Sequence, residues 1–145
     1  LGRQKHAPFA TGGRIDFSAR RAFAEKHISD FDIRPPNPEA RLKALSGGNQ
    51  QKVVLARETE RPLQLLLAVQ PTRGLDLAAT DTVHRQVCAL SEEGTAVLLI
   101  SLDLDEVLAL SDRIYVLFEG RIRGAFHRDD FDARRIGRLM LGAPP

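Results

Sequence analysis

The stretch Leu45-Ser46-Gly47-Gly48-Asn49-Gln50-Gln51-Lys52 holds the residues best suited to chemistry. A serine hydroxyl followed by two residues without side chains, at the opening of a helical pattern, lets backbone N–H groups approach an anion closely. The partial positive charge of the helix start favours a phosphate there. The same residues also read as an ordinary N-cap followed by a glycine turn. A second group, Val69 and Gln70, ends an apolar run, and Leu102 follows another. A hydrocarbon side chain cannot ligate a hard cation, and a neutral amide is a very poor general base, so these positions offer little to hydrolysis. No lysine follows a glycine-rich loop in the Gly-x-x-x-x-Gly-Lys-Ser/Thr pattern that cradles phosphates; Gly12-Gly13 is followed only by Arg14.

The elements that would position these residues alternate along the chain. Phe17, Ala24, Ile28 and Phe31 recur at helical spacing behind Asp16 and Ser18, which predicts a helix from Phe17 to Phe31. Arg34 to Glu39, with prolines at 35, 36 and 38, reads as an extended connector. A helix then runs from Gly47-Gly48 to about Thr59, and Leu63 to Val69 has the near-continuous apolar pattern of a strand covered on both faces. A turn at Pro71-Thr72-Arg73-Gly74 leads to a helix from Leu77 to Leu90, capped by Asp76, with Ala79, Val83, Val87 and Leu90 on one face. Ala96 to Ser101 is the next strand. Asp103 and Glu106 form a capping box for a short helix facing inward through Leu104, Val107 and Leu108. Arg113–Phe118 and Arg121–Phe126 make a hairpin around Glu119-Gly120, and Asp132 to Leu141 forms a last helix burying Ile136, Leu139 and Met140. The alternation implies an α/β chain with a parallel sheet.

In this order, Leu45 to Lys52 resembles the signature motif of the ATP-binding-cassette (ABC) ATPases, in the Asn-containing form of nucleoside and simple-sugar importers. Leu65-Leu66-Leu67-Ala68-Val69-Gln70-Pro71-Thr72-Arg73-Gly74-Leu75-Asp76 is similar to the family's Walker B strand running into its D-loop. Leu99 to Glu106 falls where the switch-histidine segment lies, and Ser111 to Ile114 with Glu119 to Ile122 resembles the closing strand pair. The resemblance spans residues 45 to 122 and implies the C-terminal portion of a P-loop NTPase-like cassette: a helical, membrane-subunit-facing portion over residues 1–44, then the signature and the C-terminal half of the core over 45–145.

The family's pattern implies that Ser46, Gly47, Gly48, Asn49 and Gln50 meet ATP held with Mg2+ by a partner cassette, and that Asp76 lies at the interface between cassettes. The departures are equally specific. Val69 stands where the family has its magnesium-shell aspartate, Gln70 where it has the catalytic glutamate, and Leu102 where it has the switch histidine, so a second site is degenerate. The implied partners are a second nucleotide-binding domain, fused upstream, transmembrane permease subunits and, indirectly, a substrate-binding protein. The implied location is the peripheral, cytoplasmic face of the cell membrane, with a nucleoside or a simple sugar as cargo. The chain alone is expected to be inactive and, beginning at Leu1 without methionine, to be a fragment whose sheet carries unpaired edges or an exposed apolar face.

Composition agrees. The 145 residues, 43% hydrophobic, suit one core of ordinary size, and no apolar run approaches the roughly 20 residues of a membrane span. The net charge is only +2, with nine basic and five acidic residues up to position 44 and twelve and fourteen after it. Acids and bases interleave, which argues against a nucleic-acid partner and so against the non-transport ABC proteins of translation or repair. A pure interaction module is the other alternative. The lone Cys88 reads as a buried small hydrophobe, and His6, His27, His84 and His127 lack metal-ligand spacing.

Overall fold

A computed structural model describes residues 8–11 and 13–144; His6 and Gly12 lie outside the described residues. Contacts group the chain into two compact units, residues 1–64 with 72–89 and residues 65–71 with 90–145.

The first unit opens with the short antiparallel pair β1 (Ala10–Thr11) and β2 (Arg14–Ile15) and the helix α1 (Phe17–Asp30). Asp16 caps α1 by accepting from the Ala19 N–H at 2.8 Å. The aromatic residues of this segment pack as a ladder, with Phe9 edge-on to Phe23 at 4.9 Å, Phe23 against His27 at 4.1 Å and His27 stacked on Phe31 at 6.2 Å. Phe17 departs from the expected buried face. It is exposed, standing at the first helical position with the Arg20 guanidinium 5.8 Å from its ring.

The signature segment forms α2 (Gly47–Glu58). Phe31, Ile33 and Ala56 form a small core lined by Ile28, Leu45, Val53 and Leu55. This packing ties α2 to the segment that precedes it. The helix α3 (Leu77–Glu92) buries Ala79, Thr82, Val83 and Val87. Cys88, expected to be buried, is exposed. It follows the buried Val87 by one residue, a turn of about 100° around the helix that takes it off the inward face.

The second unit holds β3 (Leu65–Val69) and β4 (Ala96–Ile100), paired in parallel from Leu65↔Ala96 to Val69↔Ile100. The apolar run predicted a strand covered on both faces. Only Leu66 and Ala68 of β3 are buried, while Leu65, Leu67, Val69, Leu98 and Ile100 are about half exposed. Strict alternation along β3 of this two-stranded sheet leaves one apolar face in solvent.

The helix α4 (Leu104–Leu110) is capped by Asp103, which accepts from the N–H groups of Asp105 and Glu106. The strands β5 (Arg113–Phe118) and β6 (Arg121–His127) form the expected hairpin. Glu119 and Gly120 turn it with φ of 49° and 71°, the two successive left-handed residues that a tight hairpin requires. The helix α5 (Ala133–Met140) closes the unit's core of Ile114, Val116, Phe126, Ile136 and Leu139, with Leu104, Val107 and Leu108 of α4 packed against it. No helix is long and apolar enough to cross a membrane among the described residues.

Candidate functional site

Ser46 ends an extended segment at φ −61° and ψ 158°, and helical backbone begins at Gly47. The N–H groups of the first helical turn have no intrahelical acceptor, so Gly47 and Gly48 present donors at the positive end of α2. Gly48 is buried against the start of α3, where a Cβ would lie 3.0 Å from the Ala79 Cβ. Glycine is therefore what allows the N-terminal ends of α2 and α3 to meet. Asp76 caps α3 by accepting from the Ala79 N–H at 2.8 Å, confirming its expected capping role.

Ser46, Gly48, Asn49 and Asp76 line one cleft of roughly 390 Å³ with Asp32, Arg34, Lys52, Ala78 and Ala79. Gly47 is not among the lining residues, and a Cβ there would meet open space. Within the cleft the polar groups are interlocked. Asn49 Nδ2 donates to Ser46 Oγ at 2.9 Å, and the Arg34 N–H donates to Asn49 Oδ1 at 2.7 Å. Lys52 is buried, and its ammonium donates to the Asp32 carbonyl at 3.0 Å. The Arg34 guanidinium, hydrogen-bonded to Asp32 at 2.9 Å, holds that carboxyl below the usual carboxylate range. Gln50 is turned back on the chain, donating through Nε2 to the Leu45 carbonyl at 2.8 Å.

Sequence reasoning missed Asp32, Arg34 and Lys52. Asp32 adopts φ 46°, a left-handed conformation that Asp tolerates, and the spacing of Asp32 from Lys52 gives no helical or strand signal of their contact.

Val69, Gln70 and Leu102 lie at the strand ends of the other unit. Val69 pairs with Ile100 in the parallel register, and the Gln70 N–H donates to the Ile100 carbonyl at 2.8 Å. Leu102 follows two residues later and is largely exposed. Gln70 has φ 50°, unusual for a residue other than glycine and of the kind that concentrates where strand ends carry function. These carboxyl ends are where parallel α/β sheets bind ligands. Yet Val69 and Leu102 give no oxygen ligand, and no group of three or more His, Cys, Asp or Glu is disposed to hold a metal among the described residues. A magnesium ion does not fit these positions, whereas the donors around Ser46 fit an anion.

No family model matches the chain. It is 44% identical over 120 residues to the guanosine import ATP-binding protein NupO of Bacillus subtilis (strain 168), covering 83% of this chain and 24% of that protein. It is 43% identical over 136 residues to the glucose import ATP-binding protein TsgD13 of Haloferax volcanii, covering 92% and 25%. The chain belongs to the ABC ATPase family. The fold agrees: the dimeric bacterial ABC transporter cassette MJ0796 superposes with a TM-score of 0.66 at 24% identity, over 83% of this chain and 52% of that one. The ABC ATPase chain spans about a quarter of the length of the curated relatives it matches. In this ABC ATPase chain a cleft of hydrogen-bonded polar groups at the start of α2 contrasts with strand ends that carry Val69, Gln70 and, two residues beyond β4, Leu102.

Proposed function

We propose that this chain supplies the signature face of a composite ATP site in an ABC import ATPase. The observation that carries this reading is the contrast between the Ser46–Gly48 cleft, built of donors at a helix start, and the strand ends, where Val69, Gln70 and Leu102 replace polar groups. Ser46, Gly47 and Gly48 approach the terminal phosphate of ATP, with Asn49 and Gln50 beside them. A partner nucleotide-binding domain holds most of the nucleotide and its Mg2+. Asp76 serves the interface between the two cassettes while capping α3.

In that assembly residues 1–44 face the permease and residues 45–145 carry the signature and half of the ATPase core. The assembly sits at the cytoplasmic face of the membrane as a peripheral component, receiving its cargo through permease subunits and a substrate-binding protein. Relatives named for guanosine and for glucose support a nucleoside or simple-sugar cargo. MJ0796 is described as dimeric, which supports pairing of cassettes.

The test is Ser46→Trp in the ATPase assembled from this chain and its partner cassette. An indole in the cleft is expected to reduce steady-state ATP hydrolysis about a hundredfold or more, the scale of losing a preorganised phosphate site. Unchanged turnover would overturn the reading.

A further inference from the structure

The side-chain amide of Asn49 has a defined sense. Its Oδ1 lies 2.7 Å from the Arg34 main-chain nitrogen, a group that can only donate. The oxygen is therefore the atom turned to the connector, and Nδ2 is the atom turned to Ser46, 2.9 Å from Oγ. The Asn49 main-chain N–H reaches the same oxygen at 3.4 Å. A serine hydroxyl has one proton and two lone pairs. With two donors directed at Oγ, its proton is left to point away from Asn49, toward whatever occupies the cleft.

The loop that fixes Asn49 is itself anchored. Lys52, 7% exposed, ties the Asp32 carbonyl to α2 at 3.0 Å, and the Asp32 carboxylate takes the Arg34 Nε at 2.9 Å. Two residues beyond Asp32, the Arg34 N–H is thereby held within reach of Asn49. Neither carboxylate of the cleft is hydrogen-bonded to Ser46: Asp32 accepts from the Arg34 Nε and Asp76 from the Ala79 N–H.

We propose that Asn49 is a positioning residue: it makes the Ser46 hydroxyl an obligate outward donor and thereby suits the cleft to a fully ionised terminal phosphate, whose oxygens only accept. This rests on the reading that Ser46 meets a nucleotide phosphate. Asn49 acts through its hydrogen bond to Ser46. Lys52 holds the connector that sets the amide's sense.

A double-mutant cycle in the assembled ATPase tests it, with KM for MgATP and kcat measured for wild type, Ser46→Ala, Asn49→Ala and the double variant. Ser46→Ala is expected to raise KM about tenfold, the loss of one hydrogen bond to a charged group. Asn49→Ala is expected to raise it several-fold alone and to add nothing in the Ser46→Ala background. Asn49→Asp keeps the bond from Arg34 but offers Ser46 an acceptor, and should raise KM at least as much as Asn49→Ala. An unchanged KM in Ser46→Ala would overturn the reading of the site. A weakened Ser46→Ala together with a neutral Asn49→Ala, a wild-type KM in Asn49→Asp, or effects that multiply in the double variant would overturn the role of Asn49 alone.

Discussion

The cleft at the start of α2 and the ends of β3 and β4 are two places where backbone geometry favours ligand chemistry, yet their side chains have opposite character. In the cleft, Ser46, Asn49, Arg34, Asp32 and Lys52 are joined by hydrogen bonds, so each of these side chains has a partner and an orientation. At the strand ends, Gln70 keeps a left-handed backbone, but its neighbours Val69 and Leu102 are exposed hydrocarbons. Backbone geometry suited to a site is therefore present in both regions, whatever their side chains offer. Order among the polar side chains is what separates the two regions.

That comparison can be broken most forcefully at Gly48. Gly48→Ala drives a methyl group to 3.0 Å from Ala79. It is expected to cost about 1–3 kcal/mol as the two helix starts separate. Calorimetric unfolding would measure the loss, and full stability would show that close approach of the helices is dispensable. Lys52→Met keeps the buried stem but abandons the Asp32 carbonyl; about 1 kcal/mol should be lost, with a raised KM for MgATP in the assembled ATPase. A destabilised variant with normal KM would separate the anchor from the site.

How far these two regions were legible in the sequence differs for a physical reason. Helix starts announce themselves locally: Asp16, Ser46, Asp76 and Asp103 cap the helices as their positions suggested, and Asp132, expected as the first residue of the last helix, is its cap. The hairpin turn at Glu119-Gly120 is equally local. Burial is not local. The run Leu63 to Val69 reads as doubly covered, but the structure leaves one face of β3 in solvent, and Cys88 and Phe17 are exposed where apolar character suggested burial. The Lys52–Asp32 contact joins residues twenty positions apart across a proline-rich connector, and no periodicity encodes it. The Ser46 cap with its two glycines was readable in the sequence, while the network around it required the fold.

Away from both regions, the cap of α5 supplies a control. Asp132 accepts from the N–H groups of Arg134 and Arg135, and the bond from Arg135, then that from Arg134, holds its carboxyl below its ordinary value of 3.8. A carboxyl depressed on folding contributes stability that is complete above its unfolded value and fades as pH falls through the lower, folded one. Asp132→Ala should therefore lower the melting temperature by a few degrees at neutral pH, with the charge-dependent part of that difference shrinking below pH 3.8. A difference independent of pH throughout the acid range would show that the charge has no part in the cap. ATP hydrolysis in the assembled ATPase should not respond.

The smallest effect belongs at the strand ends. Gln70→Glu restores one carboxylate beside Val69 and Leu102, which still offer nothing to a metal or to a γ-phosphate. Turnover is expected to change by less than about twofold. A large gain would mean that these strand ends are closer to competence than their side chains indicate.

The most direct measurement is equilibrium binding of MgATP to the 145-residue chain, first alone and then with its partner cassette. The expected result is no micromolar binding by the chain alone, and nucleotide-dependent association with the partner that Ser46→Trp abolishes. Micromolar binding by the chain alone, lost on substitution at Gln70 or Leu102 and indifferent to Ser46, would contradict it.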